Sequence, residues 1–259
     1  MRAVRASVLS SGSKGNAVYL EAGASAVLVD CGLTVPGLRR RLAEVGRDLS
    51  RLAAVFVTHD HGDHVGSSVA LARKLGVPLY ATAGTHSILA RVPEALGRVV
   101  KADEPVALEA FDVLPFATPH DGIESVAFRV TERATQKSVG VATDLGYVSR
   151  LVVERLQGVH LLVVEHNHDE RLLIDGPYPE GLKRRILGAR GHLSNEQGAE
   201  LAGQLLHEGL RQVVLAHLSE TNNTPDHARR AFEQRNAAAP AHLSLHVAEQ
   251  HRPSSLFEV

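Results

Sequence analysis

The stretch from residue 53 to residue 66 constrains the fold and the function of this chain more than any other. Residues 53–57 form an apolar run, which predicts a buried strand. Five of the six residues 59–64 are His or Asp. Three imidazoles and two carboxylates at the end of a buried strand would carry a large desolvation cost unless a cation held them together. The stretch therefore predicts a metal site, against the alternative of a solvated polar loop with histidines by chance.

The spacing inside this stretch predicts how the ligands divide. His59 and His61 lie two positions apart, so both imidazoles can reach one cation from a tightly turning loop. Gly62 then allows the chain to turn and present Asp63 and His64 to a second cation. Two metals roughly 3.5–4 Å apart are the usual arrangement for hydrolysing phosphodiesters and related bonds. A dinuclear hydrolytic centre is therefore the expectation.

Composition and charge narrow the class of protein. With 259 residues and 44% hydrophobic content, the chain is expected to form one domain over residues 1–259 with a large core. The formal net charge of −1 excludes a globally basic nucleic-acid-binding protein but leaves room for a local basic patch. No apolar run approaches the ~18–20 residues that span a bilayer, and the first residues do not resemble a signal peptide. A cytoplasmic protein without membrane contact is predicted.

Strands and helices are expected to alternate on both sides of the metal stretch. The predicted strands cover residues 2–10, 16–22, 25–30, 53–57, 78–81, 98–101, 106–110, 112–117, 138–144, 160–165, 212–216 and 243–247. The predicted helices cover residues 36–45, 65–75, 84–90, 179–188, 194–207 and 225–235. Ser194 with Gln197 matches a capping box at the start of one of these helices. The alternation predicts a layered α/β fold.

Further polar residues follow other predicted strands. On spacing alone, His120 is either a structural histidine or a metal ligand. Asp144 ends a strand and is either a turn former or a carboxylate that bridges two cations. Residues 165–170 form a second polar cluster, in which Glu165 and His168 are expected to line the site or to hold its ligands. If the strands share a sheet, this cluster should lie near the first.

Candidate anion-binding groups accompany these ligands. The turn at residues 10–16 is either an ordinary hairpin or a backbone cradle for an anion. The basic run at residues 183–190 is either a solvated helix face or a phosphate-binding surface. The predicted phosphate contacts are Ser13, Lys14, Asn16, Lys183, Arg184, Arg185 and Arg190. His192 would lie just before a helix N-terminus, a favourable place to meet an anion.

The hexad H-x-H-x-D-H at residues 59–64 resembles the signature of the metallo-β-lactamase superfamily. Asp30, expected to hydrogen-bond the metal loop from behind, is similar to the first motif of that superfamily. The resemblance covers most of the chain and implies an αββα sandwich, two mixed sheets flanked by helices with the metal site at one sheet edge. It also implies two ligand groups that share a bridging carboxylate. They are His59, His61 and His120 for one metal, Asp63, His64 and His217 for the other, and Asp144 as the bridge.

Shorter motifs resemble one branch of the superfamily, the YycJ/WalJ (VicX) group. They are Ser-Ser-Gly-Ser-Lys-Gly-Asn at 10–16, Ala-Thr-Asp-Leu-Gly-Tyr at 142–147, Asn-His-Asp at 167–169, Leu-Lys-Arg-Arg-Ile-Leu-Gly at 182–188, Gly-His-Leu-Ser-Asn at 191–195 and His-Leu-Ser-Glu-Thr-Asn-Asn-Thr-Pro at 217–225. His166 departs from that pattern, in which a serine is expected. Members of the group are similar to bacterial cytoplasmic 5′-to-3′ DNA exonucleases, and the resemblance implies the same activity here.

The predicted function is a dinuclear metal-dependent phosphodiesterase, in the first place a 5′-to-3′ DNA exonuclease that uses a metal-bound hydroxide. Asp63 is expected to orient or deprotonate the water, and His192 to protonate the leaving oxygen. Zn or Mn are the expected metals, and imidazole with carboxylate also accommodates Fe. DNA is the expected partner, mainly through backbone contacts, because aromatic residues make up only 4% of the chain. The sequence sets no oligomeric state.

Other function classes would use the same fold. A small-molecule phosphodiesterase, acting on a cyclic nucleotide or a ribose phosphate, would share every ligand and is the main alternative. Hydrolysis of β-lactams or thioesters is disfavoured, because Asp144 rather than a cysteine stands among the candidate ligands. A diiron redox protein would carry an acid in place of His61. A metal-stabilised binding module without turnover is the remaining class.

Overall fold

Two mixed β-sheets of seven strands each face one another within residues 4–259, the part of the chain that this computed structural model describes. Helices pack on the outer face of each sheet. This is the αββα sandwich that the resemblance implied. Residues 2 and 3 of the first predicted strand lie outside the described residues.

Fourteen strands make up the two sheets in residues 4–259. They are β1 (Val4–Ser10), β2 (Ala17–Ala22), β3 (Ser25–Val29), β4 (Leu52–Phe56), β5 (Leu79–Thr82), β6 (Gly97–Val100), β7 (Val106–Ala107), β8 (Phe111–Ala117), β9 (Val126–Glu132), β10 (Ser138–Ala142), β11 (Leu161–Glu165), β12 (Gln212–Ala216), β13 (Ser244–Val247) and β14 (Phe257–Glu258). The first sheet has the order β14-β1-β2-β3-β4-β5-β6, and the second has the order β13-β12-β11-β10-β9-β8-β7. The chain thus builds the first sheet, crosses to the second after β6, and returns with β14.

Parallel pairing places several strand ends at one edge of the molecule. In the first sheet β3 to β6 are paired in parallel, and in the second sheet β10 to β13 are. The remaining neighbours are antiparallel. Since parallel strands end at the same edge of a sheet, the residues that follow β3, β4, β10, β11 and β12 can meet where the two sheets adjoin.

Nine helices accompany the strands in the described part of the chain. They are α1 (Val35–Glu44), α2 (Gly62–Val65), α3 (Ser68–Leu75), α4 (Ala83–Ile88), α5 (Arg150–Leu156), α6 (Glu170–Asp175), α7 (Glu180–Ile186), α8 (Asn195–Gln204) and α9 (Pro225–Arg235). Ser194 and Gln197 form the predicted capping box of α8 in both directions. No helix described here is long and apolar enough to cross a bilayer.

Three apolar clusters hold the layers together. The first lies between the sheets, where Phe56 of β4 stacks on Tyr80 with ring centroids 4.6 Å apart and meets Phe128 of β9 edge-on at 5.5 Å. The second lies under α5, α8 and α9, and the third under α1 and α3. Burial of this apolar surface is the dominant stabilising contribution, and it fixes the sheet edge on which the polar residues stand.

The segment after β13 returns to the first sheet and closes the turn at residues 10–16. Gln250 is buried, and its amide nitrogen donates to Ser10 Oγ at 2.8 Å and to the Gly15 carbonyl at 3.0 Å. Its Oε1 accepts from the Lys14 amide at 2.8 Å. β14 then pairs with β1. This segment, residues 248–259, therefore acts as a clamp on the turn.

Parts of the chain differ from the predicted elements. The helix predicted over residues 65–75 is two helices, α2 and α3, because Gly66, with φ +21°, passes close to Cys31: an added Cβ would lie 2.6 Å from its carbonyl oxygen. The strand predicted over residues 106–110 is reduced to β7. Strand β9 and helices α5 and α6 are not among the predicted elements. Polar residues within them, such as Arg129 in β9, hide the apolar pattern.

Candidate metal centre

Three strands end in residues with a rare backbone conformation. Asp30 follows β3, Asp144 follows β10 and His217 follows β12, with φ of +61°, +62° and +58°. This left-handed conformation costs a non-glycine residue of order 1–3 kcal/mol, and such residues cluster at functional sites. The chain is bent at these three positions so that their side chains reach a common point.

The histidine-rich stretch turns into α2 directly after β4. His61 is the N-cap residue of α2, and Asp63 and His64 lie in its turn. The His59 ring lies 4.6 Å from that of His61 and 4.1 Å from that of His64, measured between centroids. One short turn thus presents His59, His61, Asp63 and His64 to the sheet edge, whereas Asp60 Oδ1 accepts from the Ile123 amide.

His59, His61 and His120 form a first ligand cluster. One ring nitrogen from each lies within 4.8 Å of the other two. His120 Nδ1 is 3.0 Å from the Gly191 carbonyl oxygen. Since a carbonyl only accepts, Nδ1 carries the proton and Nε2 is left to bind a cation. Burial and the nearby charge of His64 lower the pKa of His59 well below its usual value, which favours the neutral ring that ligates metals.

Asp63, His64 and His217 form a second cluster. The Nε2 atoms of His64 and His217 lie 3.4 Å and 3.6 Å from Asp63 Oδ2. Behind them, Asp30 Oδ2 accepts from His64 Nδ1 at 2.8 Å. The Thr58 amide and hydroxyl donate to the same Asp30 carboxylate at 2.8 Å and 3.0 Å. Asp30 therefore orients the His64 ring.

The carboxylate of Asp144 lies between the two clusters. Its Oδ2 is 3.2 Å from His64 Nε2, and its Oδ1 is 3.7 Å from His120 Nε2. Burial opposes its charge, but the neighbouring His217 and His64 hold the pKa of the Asp144 carboxyl well below its usual range. An ionised carboxylate in this position has one oxygen to offer each cluster.

The same carboxylates act on the imidazoles. Burial disfavours charge on His217, yet Asp144 and Asp63 raise the pKa of His217 to about 10. Asp144 and Asp30 likewise raise the pKa of the buried His64 well above its usual value. Metals bind only the deprotonated ring nitrogen, so cation binding at these positions releases protons.

The donor atoms fit divalent metal ions. Three buried atoms at the site, His59 Nε2, Asp144 Oδ2 and His217 Nε2, have no hydrogen-bond partner within residues 4–259. Leaving a buried polar atom unpaired costs about 1–3 kcal/mol, and a cation would satisfy all three. Imidazole nitrogens with carboxylate oxygens suit zinc, manganese or iron. A further group with ligand atoms within 4.8 Å of one another consists of Asp144, Glu165, His192 and His217.

Glu165, at the end of β11, holds two imidazoles in place. Its Oε1 accepts from His192 Nδ1 at 2.8 Å and from His217 Nδ1 at 3.0 Å. Its Oε2 accepts from the amides of Leu145 and Leu193 at 2.8 Å and 3.1 Å. Burial opposes the charge, but His192 and these hydrogen bonds lower the pKa of Glu165 to about 2. Glu165 thus fixes the orientation of both rings, and its role in a metal site stays a prediction.

Asn16 contacts the ligand residues instead of facing an anion. Its amide nitrogen lies 3.1 Å from Asp63 Oδ2 and 3.0 Å from His64 Nε2, and its Oδ1 accepts from the Gly12 amide at 2.8 Å. This corrects the predicted phosphate contact of the Asn16 side chain, because both of its polar atoms already have partners inside the protein.

The other predicted phosphate contacts divide by position. Ser13 and Arg185 line the cavity beside the ligands. Lys14 pairs at the surface with a glutamate, 2.6 Å away. Lys183 is only 13% exposed and donates from Nζ to the Ile174 carbonyl at 2.5 Å, so its predicted phosphate contact is replaced by a structural one. Arg184 and Arg190 are exposed and, like Lys14, do not line the cavity.

One residue at the site, Asp121, is absent from the predictions. Its Oδ1 lies 3.4 Å from His61 Nε2 and 3.3 Å from His120 Nε2. Its Oδ2 accepts from Arg185 Nε at 2.7 Å. Its place directly after His120 is the one sequence signal that points to it. Asp121 thus links the first ligand cluster to the basic run.

The second polar cluster contains two buried histidines away from the cavity. His168 is 1% exposed, and neither of its ring nitrogens has a hydrogen-bond partner within the described residues. Burial lowers its pKa to about 4, so the ring is neutral. His166 packs on Gly198 of α8, where an added Cβ would lie 2.7 Å from His166 Nδ1. The expectation that His168 lines the site is corrected, since it does not border the cavity.

A cavity of about 240 Å³ opens beside the ligands. The residues of the site that line it are His61, Asp63, Asp121, Asp144, His192 and His217. Tyr178, Leu182 and Arg185 also border it. A substrate group inside this cavity would therefore meet both ligand clusters and His192.

Comparison with known proteins places the chain in a family. Residues 25–218 match the family model described as the beta-lactamase superfamily domain. The chain belongs to this superfamily. It is 34% identical over 247 residues to Exodeoxyribonuclease WalJ of Streptococcus pneumoniae serotype 2 (strain D39 / NCTC 7466), covering 93% of this chain and 90% of that protein. It is 30% identical over 232 residues to Exodeoxyribonuclease YycJ of Bacillus anthracis, covering 88% and 87%.

Solved structures of the superfamily share the fold. YhfI from Bacillus subtilis, a metallo-beta-lactamase fold protein, superposes with a TM-score of 0.75 at 18% identity, covering 99% of this chain and 100% of that one. The short form of human tRNase Z superposes with a TM-score of 0.66 at 20% identity, covering 97% and 98%. The superfamily member described here is a hydrolase, and its fold and His/Asp clusters imply divalent metal ions.

Proposed function

We propose that this hydrolase is a dinuclear metal-dependent phosphodiesterase that removes nucleotides from the 5′ end of DNA. The observation that carries the proposal is the pair of ligand clusters with the Asp144 carboxylate between them. Two-metal centres are the usual means of hydrolysing phosphodiesters. The two relatives named as exodeoxyribonucleases, which align over most of both chains, support DNA as the substrate.

Seven residues are proposed to hold two ions. They are His59, His61 and His120 in the first cluster, Asp63, His64 and His217 in the second, and Asp144 between them. When bound, such ions supply Lewis acidity toward the phosphate and lower the pKa of a bound water. Zinc or manganese is the proposed metal, and iron fits the same donors.

Asp63 is proposed to orient the attacking water as well as to bind metal. Burial opposes its charge, but the neighbouring imidazoles of His217 and His64 lower the pKa of Asp63, so the carboxylate is ionised at neutral pH. Its side chain is 21% exposed and borders the cavity. An ionised oxygen facing the cavity can accept a hydrogen bond or a proton from water.

His192 is proposed to protonate the leaving oxygen. Its Nδ1 faces Glu165, which leaves Nε2 free to carry a proton to the substrate. The ring lies 5.2 Å from that of His120 and 5.3 Å from that of His217, so it stands beside both ligand clusters. The hydrogen bond to Glu165 fixes the orientation of the ring that an acid of this kind needs.

Arg185 is proposed to bind a phosphate of the DNA strand. Asp121 holds its Nε at 2.7 Å, which leaves the two terminal nitrogens of the guanidinium for phosphate oxygens. The exposed Arg184 and Arg190 would contact neighbouring phosphates. Because such contacts release counterions, DNA binding should weaken as salt is raised.

A nuclease assay with end-labelled DNA tests the proposal. Oligonucleotides labelled at the 5′ or the 3′ end are incubated with purified protein and Mn²⁺ or Zn²⁺. The 5′ label should be released at once as a mononucleotide, while the 3′-labelled strand should shorten progressively. Release of the 3′ label first would reverse the proposed polarity.

The Asp144→Asn variant tests the bridging role, since asparagine tolerates the left-handed backbone but lacks the charge. DNA turnover should fall by about a hundredfold or more in this variant. Wild-type activity in Asp144→Asn would contradict the bridging role. If the wild type hydrolysed bis-p-nitrophenyl phosphate but no DNA, the small-molecule phosphodiesterase would be the correct function.

A further inference from the structure

The cavity beside the ligands has an apolar part to which the catalytic proposal gives no role. Tyr178, in the turn at residues 176–179 between α6 and α7, borders the cavity together with Leu182 of α7. Arg185 follows Leu182 on α7, and this spacing of three residues places the two side chains on one face of the helix. Tyr178 and Leu182 are both half-buried. An aromatic ring and an aliphatic side chain therefore adjoin the polar groups that face the phosphate.

The turn that carries Tyr178 is firmly held. Proline lies on both sides of it, and proline restricts both its own φ and the conformation of the residue before it. Gly176 packs so closely that an added Cβ would lie 2.6 Å from Asn222 Oδ1. Lys183 Nζ, bonded to the Ile174 carbonyl, ties α7 to the end of α6. Binding a ligand against a ring that is already ordered costs little conformational entropy.

We propose that Tyr178 and Leu182 bind the base of the 5′-terminal nucleotide while Arg185 binds phosphate. This inference rests on the function proposed above. Every nucleobase has a π-face, so an aromatic side chain accepts any base and adds affinity without sequence preference. The cavity, about 240 Å³, is smaller than the ~300–1,000 Å³ of pockets for drug-sized ligands. A cavity of this size holds no more than one nucleotide, so the rest of the strand would lie outside it.

The base subsite acts on binding more than on chemistry. Tyr178 borders the cavity but makes no proposed contact with the reacting atoms. Its loss should therefore weaken binding of the ground state and of the transition state alike. The expected signature is a raised KM with an almost unchanged kcat. Stacking of one base on one aromatic ring corresponds to roughly a tenfold change in KM.

A thermodynamic cycle that removes the Tyr178 ring and the 5′-terminal base, separately and together, tests the base subsite. Single-stranded substrates carry either a normal 5′-terminal nucleotide or an abasic tetrahydrofuran residue at that position, and a third substrate carries the abasic residue internally. Wild-type protein, Tyr178→Ala, Tyr178→Phe and Tyr147→Ala are compared. Tyr147 is 49% exposed and does not border the cavity, so it is the matched tyrosine control.

For the wild type, KM should be about tenfold higher with the abasic 5′ end than with the normal end, and an internal abasic residue should have no effect. With either end, Tyr178→Ala should have the KM that the wild type has with the abasic end. Tyr178→Phe should behave as the wild type. Equal KM values of the wild type for the two ends would overturn the subsite and leave the nuclease proposal standing. If Tyr178→Ala raised the KM of the normal end and of the abasic end by the same factor relative to the wild type, the subsite would also be overturned, because the ring would then serve only the fold. A wild type that cleaves no DNA would overturn both proposals.

Discussion

At the scale of single residues, Glu165 connects the ligands to the proposed acid. One of its carboxylate oxygens accepts from a ring nitrogen of His217 and from one of His192. Both imidazoles therefore carry a proton on Nδ1 and keep Nε2 for a metal or a substrate. A candidate metal ligand and the proposed proton donor are thus oriented by the same anion.

Replacing His192 with alanine should slow DNA turnover by about a hundredfold or more, because a general acid contributes ~10²–10⁴-fold. Hydrolysis of bis-p-nitrophenyl phosphate should fall much less, since p-nitrophenolate leaves without a proton. Steady-state rates on both substrates measure the difference. His86→Ala, a change in α4 away from the cavity, is the control. A loss smaller than tenfold on DNA would rule out the acid role.

The part of the candidate site that can be predicted from sequence is the part whose residues are close in sequence. Residues 59–64 gather most of one side of the site within a single turn. Asp144 and His217 need the added argument that parallel strands end at one edge. Asp121 has no such signal, because its partner Arg185 lies 64 positions away and meets it only after α7 has packed.

At the scale of elements, a buried carboxylate joins β2 to the loop after α1. Glu21 is 3% exposed and accepts from Arg47 Nε at 2.9 Å and 2.8 Å, one bond to each oxygen. The Tyr19 hydroxyl donates to the same carboxylate at 3.0 Å. Burial opposes the charge, but these hydrogen bonds lower the pKa of Glu21 below its usual value. The group is therefore charged inside the fold, and it depends on Arg47.

Removal of Arg47 should destabilise the protein in a pH-dependent way. Because the pKa of Glu21 is lower in the folded state, its contribution is present above the unfolded pKa of about 4.3 and is lost as pH falls through the folded value. Arg47→Ala should lower the free energy of unfolding by about 2 kcal/mol at pH 7, and the loss should shrink toward pH 3. Urea titrations over this range measure it.

Arg150→Ala, which breaks an exposed pair with Glu154 in α5, is the control for this prediction. It should change stability by no more than about 0.5 kcal/mol. A loss in Arg47→Ala that stays constant from pH 7 to pH 3 would contradict the role of Glu21.

The boundaries of elements were harder to predict than their types. The break between α2 and α3 depends on the approach of Gly66 to Cys31, a contact between segments that hydrophobic periodicity does not contain. The capping box at Ser194 is the opposite case, since all of its atoms lie within four consecutive residues. At this scale, the features that can be predicted from sequence are those whose contacts are local.

At the scale of the whole molecule, the candidate ligands come from both sheets. Residues 59–64 follow β4 of the first sheet, whereas His120, Asp144 and His217 follow β8, β10 and β12 of the second. Ions bound between them would join the two halves of the sandwich. Metal binding should therefore stabilise the fold as a whole.

Removing metal with a chelator should lower both activity and the melting temperature. At free metal about a hundredfold above Kd, one site adds about 2.7 kcal/mol. For a chain of this size that corresponds to roughly 5–10 °C. Differential scanning calorimetry with and without chelator measures the shift. Asp144→Asn should show a much smaller shift than the wild type, and an equal shift would place the metal elsewhere.

The clamp at residues 248–259 should influence the site from a distance. Gln250→Ala removes three hydrogen bonds from the turn that carries Asn16, and Asn16 contacts Asp63 and His64. Metal affinity, measured by isothermal titration, should fall by about tenfold, and stability by about 1–3 kcal/mol. The exposed Gln157→Ala should change neither quantity. Unchanged metal affinity in Gln250→Ala would show that the turn holds its shape unaided.

The position of the clamp in the sequence has a consequence for synthesis. All of the candidate ligands, up to His217, leave the ribosome before Gln250 does. A nascent chain, or a product of stalled translation that stops after α9, would contain the full ligand set without the segment that closes the turn at residues 10–16. On the proposed function, such a product would carry every candidate metal ligand but, like Gln250→Ala, would hold metal less tightly than the chain that includes Gln250.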